Sequence, residues 1–306
     1  MKNLLNSPKR KGYFLAALSA VAVSNVYIFS KAALRETDLI TFGFFWFLMA
    51  FSFNFIYTVA TQKLKLYLTF TAKELIVLGA IGVFEMSAAY LFFRGVNVIE
   101  NPTIVSFLDN CTPLFVTVLG VIVLRDKFTR FEIFGMVLAI VGAFLVSYSG
   151  TFTLRGLFIY GSQYAVMAAI LASIGITLAK RQIKAYDPAI LSLNRTIFLV
   201  SLFLILMLTL HKSFSISLRS FTFVSIGSFA GPFLAAVLQY NAFKYIEASK
   251  AMIIQSTRSF FVLMASLLFF GLFPLAHQLV GGIISITGVM IIALGSTWLN
   301  SWKRNK

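Results

Sequence analysis

The chain has 306 residues, of which 59% are hydrophobic and 12% charged, and its formal net charge is +16. An ordinary soluble domain has roughly a quarter of its residues charged, so this composition excludes a water-soluble globule. The basic residues stand in short segments between apolar runs, as in the cytoplasmic loops of membrane proteins, which argues against a nucleic-acid partner and for a lipid one. We therefore expect an all-α integral membrane protein.

Ten apolar runs follow one another along the chain, each near the length of about 20 residues with which a helix crosses a bilayer. The predicted spans are residues 13–33, 39–61, 74–93, 102–124, 130–149, 155–178, 189–211, 220–243, 249–271 and 276–298. The links are short, so neighbouring helices must form antiparallel hairpins. An alternative interpretation makes the first run a cleaved signal peptide, with Lys9, Arg10 and Lys11 as its basic start and Ala20 to Ala22 as its cleavage site.

The distribution of Lys and Arg orients the predicted helices. With the N-terminus inside, 18 of the 26 basic residues lie on the inner side and 6 on the outer side, while Arg195 and Arg258 lie within spans. Cytoplasmic loops carry an excess of basic residues, so both termini are predicted to be cytoplasmic and the number of spans even. This pattern is typical of a multi-pass protein of the cell membrane (inner or plasma membrane).

The two halves of the sequence match at a nearly constant offset of 146 to 149 residues. The matched positions are Lys31 and Asp38 with Lys180 and Asp187, Ile99 and Glu100 with Ile246 and Glu247, and Gly135 and Gly142 with Gly281 and Gly288. We predict a cytoplasmic segment at residues 1–11, a first five-helix repeat at 12–150, a second at 155–299 and a basic cytoplasmic tail at 300–306. Because each half holds an odd number of helices, the second is inverted, as in many secondary transporters that work by alternating access.

The stretch from Tyr90 to Tyr148 carries the clearest sequence pattern. Its motifs are Asn101-Pro102-Thr103, Pro113-Leu114-Phe115, Leu124-Arg125-Asp126-Lys127-Phe128-Thr129, Gly135 and Gly142. With them the chain resembles, over nearly its whole length, the ten-helix EamA-type branch of the drug/metabolite transporter (DMT) superfamily. It departs from the family where Asp126 replaces a glutamate and where Phe260 replaces the proline that matches Pro113. The resemblance implies a secondary carrier of small organic metabolites, with amino-acid or metabolite export common in the family.

Four ionisable side chains lie inside the predicted spans, where each costs about 2.5–3.5 kcal/mol on insertion scales and should face protein or water. They are Glu85, Asp109, Arg195 and Arg258. Glu85 lies near mid-span and is either a proton-carrying or cation-binding carboxylate or one half of a permanent ion pair. Arg195 is about two turns from the inner end, so its long side chain is expected to reach towards the membrane interface.

A polar stripe follows one face of the fourth span. It consists of Ser106, Asp109, Asn110 and Pro113. This face either lines a cavity or joins helices by hydrogen bonds. Pro113 removes the hydrogen bond to the carbonyl of residue 109, which predicts a free acceptor and a kink there. Gly231-Pro232 predicts a second kink, in the eighth span.

Arg258 lies near the centre of the ninth span, with Gln255 on the same face. A buried guanidinium binds a carboxylate or phosphate at two points, which favours an anionic or zwitterionic solute; the alternative is a locked pair with Asp109 or Glu85. Neutral side chains in other spans add to the candidates. The predicted substrate-binding residues are Glu85, Asp109, Asn110, Arg258, Gln255, Asn25, Gln163, Tyr164 and Gln239.

Small residues recur every four positions in the fifth and tenth spans, at Gly135, Ala139 and Ala143 and at Gly281 and Ser285. Such spacing lets helix backbones approach closely. We predict that these spans serve in packing or in a dimer contact, away from the solute path, and leave open whether the protein is a monomer or a homodimer.

The sequence favours a transporter over an enzyme, because it contains no motif for a metal, a cofactor or a catalytic nucleophile. The leading hypothesis is a secondary exporter of an amino acid or similar zwitterionic solute, through a cavity lined by spans one, three, four, six, eight and nine. Arg258 would bind a carboxylate, and Glu85 or Asp109 an amine or a coupling proton. The alternatives are a carrier of organic phosphates or nucleotide-type anions, and a non-transporting membrane scaffold or sensor whose four charges are structural pairs.

Overall fold

The computed structural model describes residues 8–67, 69–124, 130–148, 158–183 and 186–304. Its helices in the first half are α1 Pro8–Leu34, α2 Leu39–Ala60, α3 Leu64–Tyr67, α4 Ala72–Val98, α5 Pro102–Leu108, α6 Cys111–Leu124 and α7 Arg130–Ser147. Those in the second half are α8 Ser162–Gln182, α9 Pro188–Thr209, α10 Leu218–Ser228, a π-helical segment Phe229–Ala235, α11 Ala236–Tyr245, α12 Ala248–Ser256, α13 Arg258–Phe270 and α14 Ala276–Arg304. The motif at residues 125–129 and the junction between the predicted repeats lie outside the described residues.

Eight helical stretches in the described part of the chain are long and apolar enough to cross a membrane. The helices α7 and α14 supply two shorter apolar stretches, Ile133–Ser147 and Ala276–Ile291. A helix suits lipid because its backbone N–H and C=O groups pair within the segment. The predicted all-α, multi-pass membrane fold is therefore confirmed, whereas the number of ten spans, the side of the termini and the repeat boundaries stay predictions.

The equivalent helices α2 and α9 of the two halves lie side by side and run antiparallel. Asp38, the N-cap of α2, forms an ion pair of 3.4 Å with Lys212 beyond the end of α9. Asp187, the N-cap of α9, forms one of 3.1 Å with Lys63 beyond the end of α2. Each aspartate accepts hydrogen bonds from the first free N–H groups of its helix, which is why both helices begin there. The two ion pairs are related by the internal repeat and join the halves.

The fifth and tenth predicted spans, α7 and α14, pack backbone to backbone. A Cβ atom added to Gly142 would lie 2.4 Å from the backbone nitrogen of Ser285, and one added to Gly288 would lie 2.5 Å from that of Ala139. These distances leave no room for a side chain, so the packing role of the small residues is confirmed.

Replacing Gly142 by alanine is expected to destabilise the protein by about 1–3 kcal/mol, because the new methyl group meets backbone atoms that cannot rotate away. Gly120→Ala is the matched control, since nothing lies within 4 Å of a Cβ atom at that position. Thermal unfolding of the purified variants in detergent measures the difference. Equal stability of the two variants would show that α7 and α14 are not in close contact.

The fourth and ninth spans are each broken near the middle. The break between α5 and α6 lies at Asp109-Asn110, and the break between α12 and α13 lies at Thr257. The broken helices meet there, and the Ser259 hydroxyl donates a 3.1 Å hydrogen bond to the carbonyl oxygen of Ser106. The kink predicted from Pro113 is therefore present as a full break, which places polar groups from both halves at the centre of the molecule.

The kink predicted at Gly231-Pro232 takes the form of the π-helical segment Phe229–Ala235. Proline has no N–H to donate, so the regular hydrogen-bond ladder is interrupted here. The amide of Asn54 donates to the carbonyl oxygen of Pro232 at 3.3 Å and accepts a 2.6 Å hydrogen bond from the Ser192 hydroxyl. Side chains of α2 and α9 thus support the irregular segment.

Candidate functional site

A cavity of about 150 Å³ lies between the two halves. Its wall is mainly apolar and includes the aromatic residues Trp46, Phe47, Phe92 and Phe93. The six spans predicted to line the cavity, spans one, three, four, six, eight and nine, all contribute to its wall. The helices α2 and α9 contribute as well. Such a site suits a small solute with an apolar part, because a few polar groups set in an apolar wall fix its orientation.

The first polar cluster of the cavity surrounds Asp109. Its carboxylate accepts hydrogen bonds from Tyr27 Oη at 2.6 Å, from Thr112 Oγ1 at 2.8 Å and from Arg258 Nη2 at 2.5 Å. The same Arg258 nitrogen lies 3.3 Å from the carbonyl oxygen of Asp109, the acceptor that the helix break exposes. The side chain of Arg258 is 3% exposed and that of Asp109 is 19% exposed, so the guanidinium is shielded from water while the carboxylate remains open to the cavity. Of the partners considered for Arg258, the structure selects Asp109.

The polar stripe of the fourth span divides between two roles. Asp109 lines the cavity. Asn110 instead donates its amide to Ser259 Oγ at 3.2 Å, and that hydroxyl binds Ser106, so both residues join the two broken helices. The predicted site residue Asn110 is thus placed in a helix contact outside the cavity lining.

The second polar cluster surrounds Glu85, which is 7% exposed. Tyr240 Oη donates a 2.5 Å hydrogen bond to Glu85 Oε1. The other carboxylate oxygen, Oε2, lies 4.0 Å from Arg195 Nε, and among the described residues neither atom has a hydrogen-bond partner. Three side chains donate hydrogen bonds to Asp109, whereas Glu85 receives one from Tyr240 and its Oε2 has no hydrogen-bond partner among the described residues. The two carboxylates therefore differ in how many donors hold them.

Two glutamine side chains also belong to the polar part of the lining. Gln255 Nε2 donates to Ser19 Oγ at 2.8 Å, and that hydroxyl donates to the carbonyl oxygen of Ala235 at 2.9 Å. Gln239 Nε2 contacts the sulfur of Met252 at 3.3 Å. Sulfur is a weak acceptor, so most of the hydrogen-bonding capacity of Gln239 is available to a solute.

Besides Asn110, three predicted site residues lie away from the cavity lining. The amide of Asn25 donates to the carbonyl oxygen of Val21 in its own helix. Gln163 is exposed and accepts a hydrogen bond from the backbone N–H of Gly161. Tyr164 packs beneath the guanidinium of Arg94. The cavity therefore brings together Glu85, Asp109, Gln239, Gln255 and Arg258 from the predicted set.

The structure adds polar lining residues that the predicted set lacks. Tyr27 holds Asp109, Tyr240 holds Glu85, and Trp46 presents an indole N–H without a partner among the described residues. The expectation that Arg195 reaches the membrane interface is wrong, because its side chain lines the cavity opposite Glu85. In the sequence, Tyr27 precedes Lys31 by one helical turn, and Lys31 is one of the residues matched in the repeat. This spacing places Tyr27 on the same helix face as Lys31 and could have marked it as a candidate.

Two carboxylates outside the membrane-spanning segments, Glu100 and Asp187, lie at opposite ends of the molecule and have lowered pKa values. A hydrogen bond from Arg35 is the main cause that holds the pKa of Glu100 below its usual value. Partial burial raises the pKa of Asp187, but the hydrogen bonds from Ala189 N–H and Lys63 outweigh it and the net pKa is lowered. Both carboxylates are thus held in their charged form and keep their ion pairs at neutral pH.

Comparison with known proteins gives a family match across both halves. The model of the EamA-like transporter family matches residues 10–148 and 159–294. An uncharacterized transporter of Archaeoglobus fulgidus is 26% identical over 122 residues, which cover 40% of this chain and 42% of that relative. The matched stretch therefore spans less than half the length of the relative. A protein of known crystal structure is similar in fold, with a TM-score of 0.69, 11% identity and coverage of 94% of this chain and 98% of that one.

Proposed function

This chain belongs to the EamA-like transporter family, whose members are membrane transporters of small solutes, and from that premise we propose that it is a secondary carrier of a zwitterionic metabolite such as an amino acid. Transport takes place by alternating access through the central cavity. The direction proposed is export across the inner or plasma membrane, with ten spans and both termini cytoplasmic. The excess of basic residues on one side of the predicted topology supports this orientation.

The observation that carries the proposal is the presence of both charge types in one small, largely apolar cavity. Among the described residues, Glu85 Oε2, Arg195 Nε and Arg258 Nε have no hydrogen-bond partner, although Glu85 Oε2 and Arg195 Nε lie 4.0 Å apart as a loose ion pair. A zwitterion supplies a carboxylate for a guanidinium and an ammonium for a carboxylate, so it satisfies groups that are costly to leave unpaired in a low-dielectric site. The aromatic wall accommodates an apolar side chain.

The two polar clusters bind different groups of the solute. Arg258, held in place by Asp109, binds the solute carboxylate. Glu85 binds the solute ammonium in one half of the cycle and a proton in the other, so that the solute moves out as a proton moves in. Asp109 already accepts hydrogen bonds from three donors and serves to position Arg258. The equal number of acidic and basic groups favours a zwitterion over an organic phosphate.

We expect purified protein to be stabilised by one class of amino acids in a thermal-shift screen that also includes organic acids, nucleotides and organic phosphates. A ligand at about 100 times its Kd adds about 2.7 kcal/mol of stability. Gln239→Ala, in the cavity wall, should weaken that binding about 2- to 10-fold, since a hydrogen bond contributes about 0.5–1.5 kcal/mol. The matched control is Gln163→Ala, because Gln163 is exposed and outside the lining.

Stabilisation by organic phosphates alone would overturn the choice of solute and favour an anion carrier with both arginines facing the ligand. Equal weakening by Gln239→Ala and Gln163→Ala would place the binding site outside the central cavity.

A further inference from the structure

Lys31 lies at the C-terminal end of α1 and is 3% exposed. Its ammonium donates hydrogen bonds to the carbonyl oxygens of Val96 at 3.2 Å and Ile99 at 2.9 Å, at the C-terminal end of α4. The last carbonyl groups of a helix have no N–H donor in their own helix and carry the negative end of its dipole. A lysine in this place therefore ties the ends of two helices together.

Lys180 repeats this arrangement in the second half. It lies in the last turn of α8, and its ammonium donates to the carbonyl oxygens of Phe243 at 2.5 Å and Ile246 at 2.7 Å, at the end of α11. Lys180 is the repeat partner of Lys31, and its acceptors are the counterparts of Val96 and Ile99. The same bridge to backbone carbonyls is thus built twice, once at each end of the molecule, and Lys31 in addition forms an ion pair of 3.6 Å with Glu100.

Both bridges lie one helical turn beyond the cavity. The lining residues next to them are Tyr27 and Phe93 at one end and Ile176 and Tyr240 at the other. Lys31 follows its lining neighbour in α1 by four residues, and Lys180 follows its own in α8 by four residues, which places each on the same helix face, one turn further out. Each bridge therefore spans the gap between two cavity-lining helices just outside the solute space.

We propose that Lys31 and Lys180 are the latches of two gates, each closing one end of the central cavity. The proposal rests on the alternating access of the proposed function. Separation of α1 from α4 at the end that holds Asp38 must break the Lys31 bridge, and separation of α8 from α11 at the end that holds Asp187 must break the Lys180 bridge. These lysines are positioning residues, because they bind backbone carbonyls and lie outside the cavity lining.

A lysine that only capped a helix would differ from a latch in one measurable respect. Loss of a cap lowers stability and has no effect on the side from which the cavity is reached. Loss of a latch shifts the population towards the state open at that end, since the closed state alone gains from the bridge. The test is therefore the sidedness of access to the cavity.

The experiment uses a cavity cysteine, Ala172→Cys, in the full chain with the native cysteine removed as Cys111→Ala. Sealed vesicles are treated from one side at a time with a membrane-impermeant, charged methanethiosulfonate. Lys31→Met should raise the labelling rate about tenfold or more from the Asp38 end and should not raise it from the Asp187 end. Lys180→Met should give the reverse result.

Two controls separate latching from general loosening. Lys31→Arg keeps a cation at the helix end and should label as the parent does. Arg219→Met changes a basic side chain that is 76% exposed near the Asp38 end and should also leave labelling unchanged. Only protein that is monodisperse in size-exclusion chromatography is scored.

Equal acceleration from both ends, or no acceleration in either methionine variant, would overturn the proposal. Failure of both methionine variants to give monodisperse protein would also overturn it, in favour of simple helix caps. No solute is added in this assay, so its outcome is independent of whether the carrier transports amino acids.

Discussion

Arg258→Gln is expected to reduce amino-acid transport at least about 30-fold, because loss of a buried, hydrogen-bonded charge partner costs about 2–5 kcal/mol and each 1.4 kcal/mol is a factor of ten. Glutamine removes the guanidinium that receives the solute carboxylate. The measurement is uptake of radiolabelled amino acid into proteoliposomes, with Arg219→Gln as the matched control, since Arg219 is 76% exposed and pairs with Glu36 at an end of the molecule.

The single Arg258 variant also leaves Asp109 as an uncompensated buried charge, which destabilises a protein by about 3–5 kcal/mol. A double variant, Asp109→Asn with Arg258→Gln, removes both charges of the 2.5 Å pair. Its thermal stability should recover while transport stays low. Recovery of transport together with stability would show that the pair is purely structural and that the solute carboxylate binds elsewhere.

Glu85→Gln is expected to abolish uptake driven by a pH gradient and to leave at most a few per cent of transport, which no longer depends on pH. Glutamine keeps the volume and the acceptor for Tyr240, but its amide neither ionises nor takes up a proton. Stability should fall only slightly, because the lost ion pair with Arg195 is long, at 4.0 Å, and the Arg195 side chain is 29% exposed. The matched control is Glu247→Gln, whose side chain is 63% exposed.

A second measurement of Glu85 needs no solute. Dicyclohexylcarbodiimide is apolar and reacts with protonated carboxyl groups, so mass spectrometry should find the adduct on Glu85 and not on Asp109, which three donors hold in place. Labelling should fall as the pH rises. A pH-dependent Glu85→Gln carrier, or an adduct found mainly on Asp109, would assign proton coupling to another group.

Several structural features were predictable because they depend on short stretches of chain. Apolar length and charge density decide between water and lipid as solvent, so the membrane class follows from composition. The break beside Pro113 is also a local effect. The repeat was visible because its partners retain their residue types, and the small residues of α7 and α14 indicated their close packing.

The pairing of the buried charges was decided only by the tertiary structure. The sequence shows two acids and two arginines within apolar runs and allows Arg258 to pair with either Asp109 or Glu85. The helix breaks of α5–α6 and α12–α13 meet and assign Asp109 to Arg258, 149 residues away, while α9 turns Arg195 towards Glu85. The tertiary structure also decided that Asn25, Gln163 and Tyr164 lie outside the cavity lining, since the sequence alone could not distinguish them from the residues inside it. Side-chain direction depends on the rotation of each helix about its axis, and packing between distant segments sets that rotation.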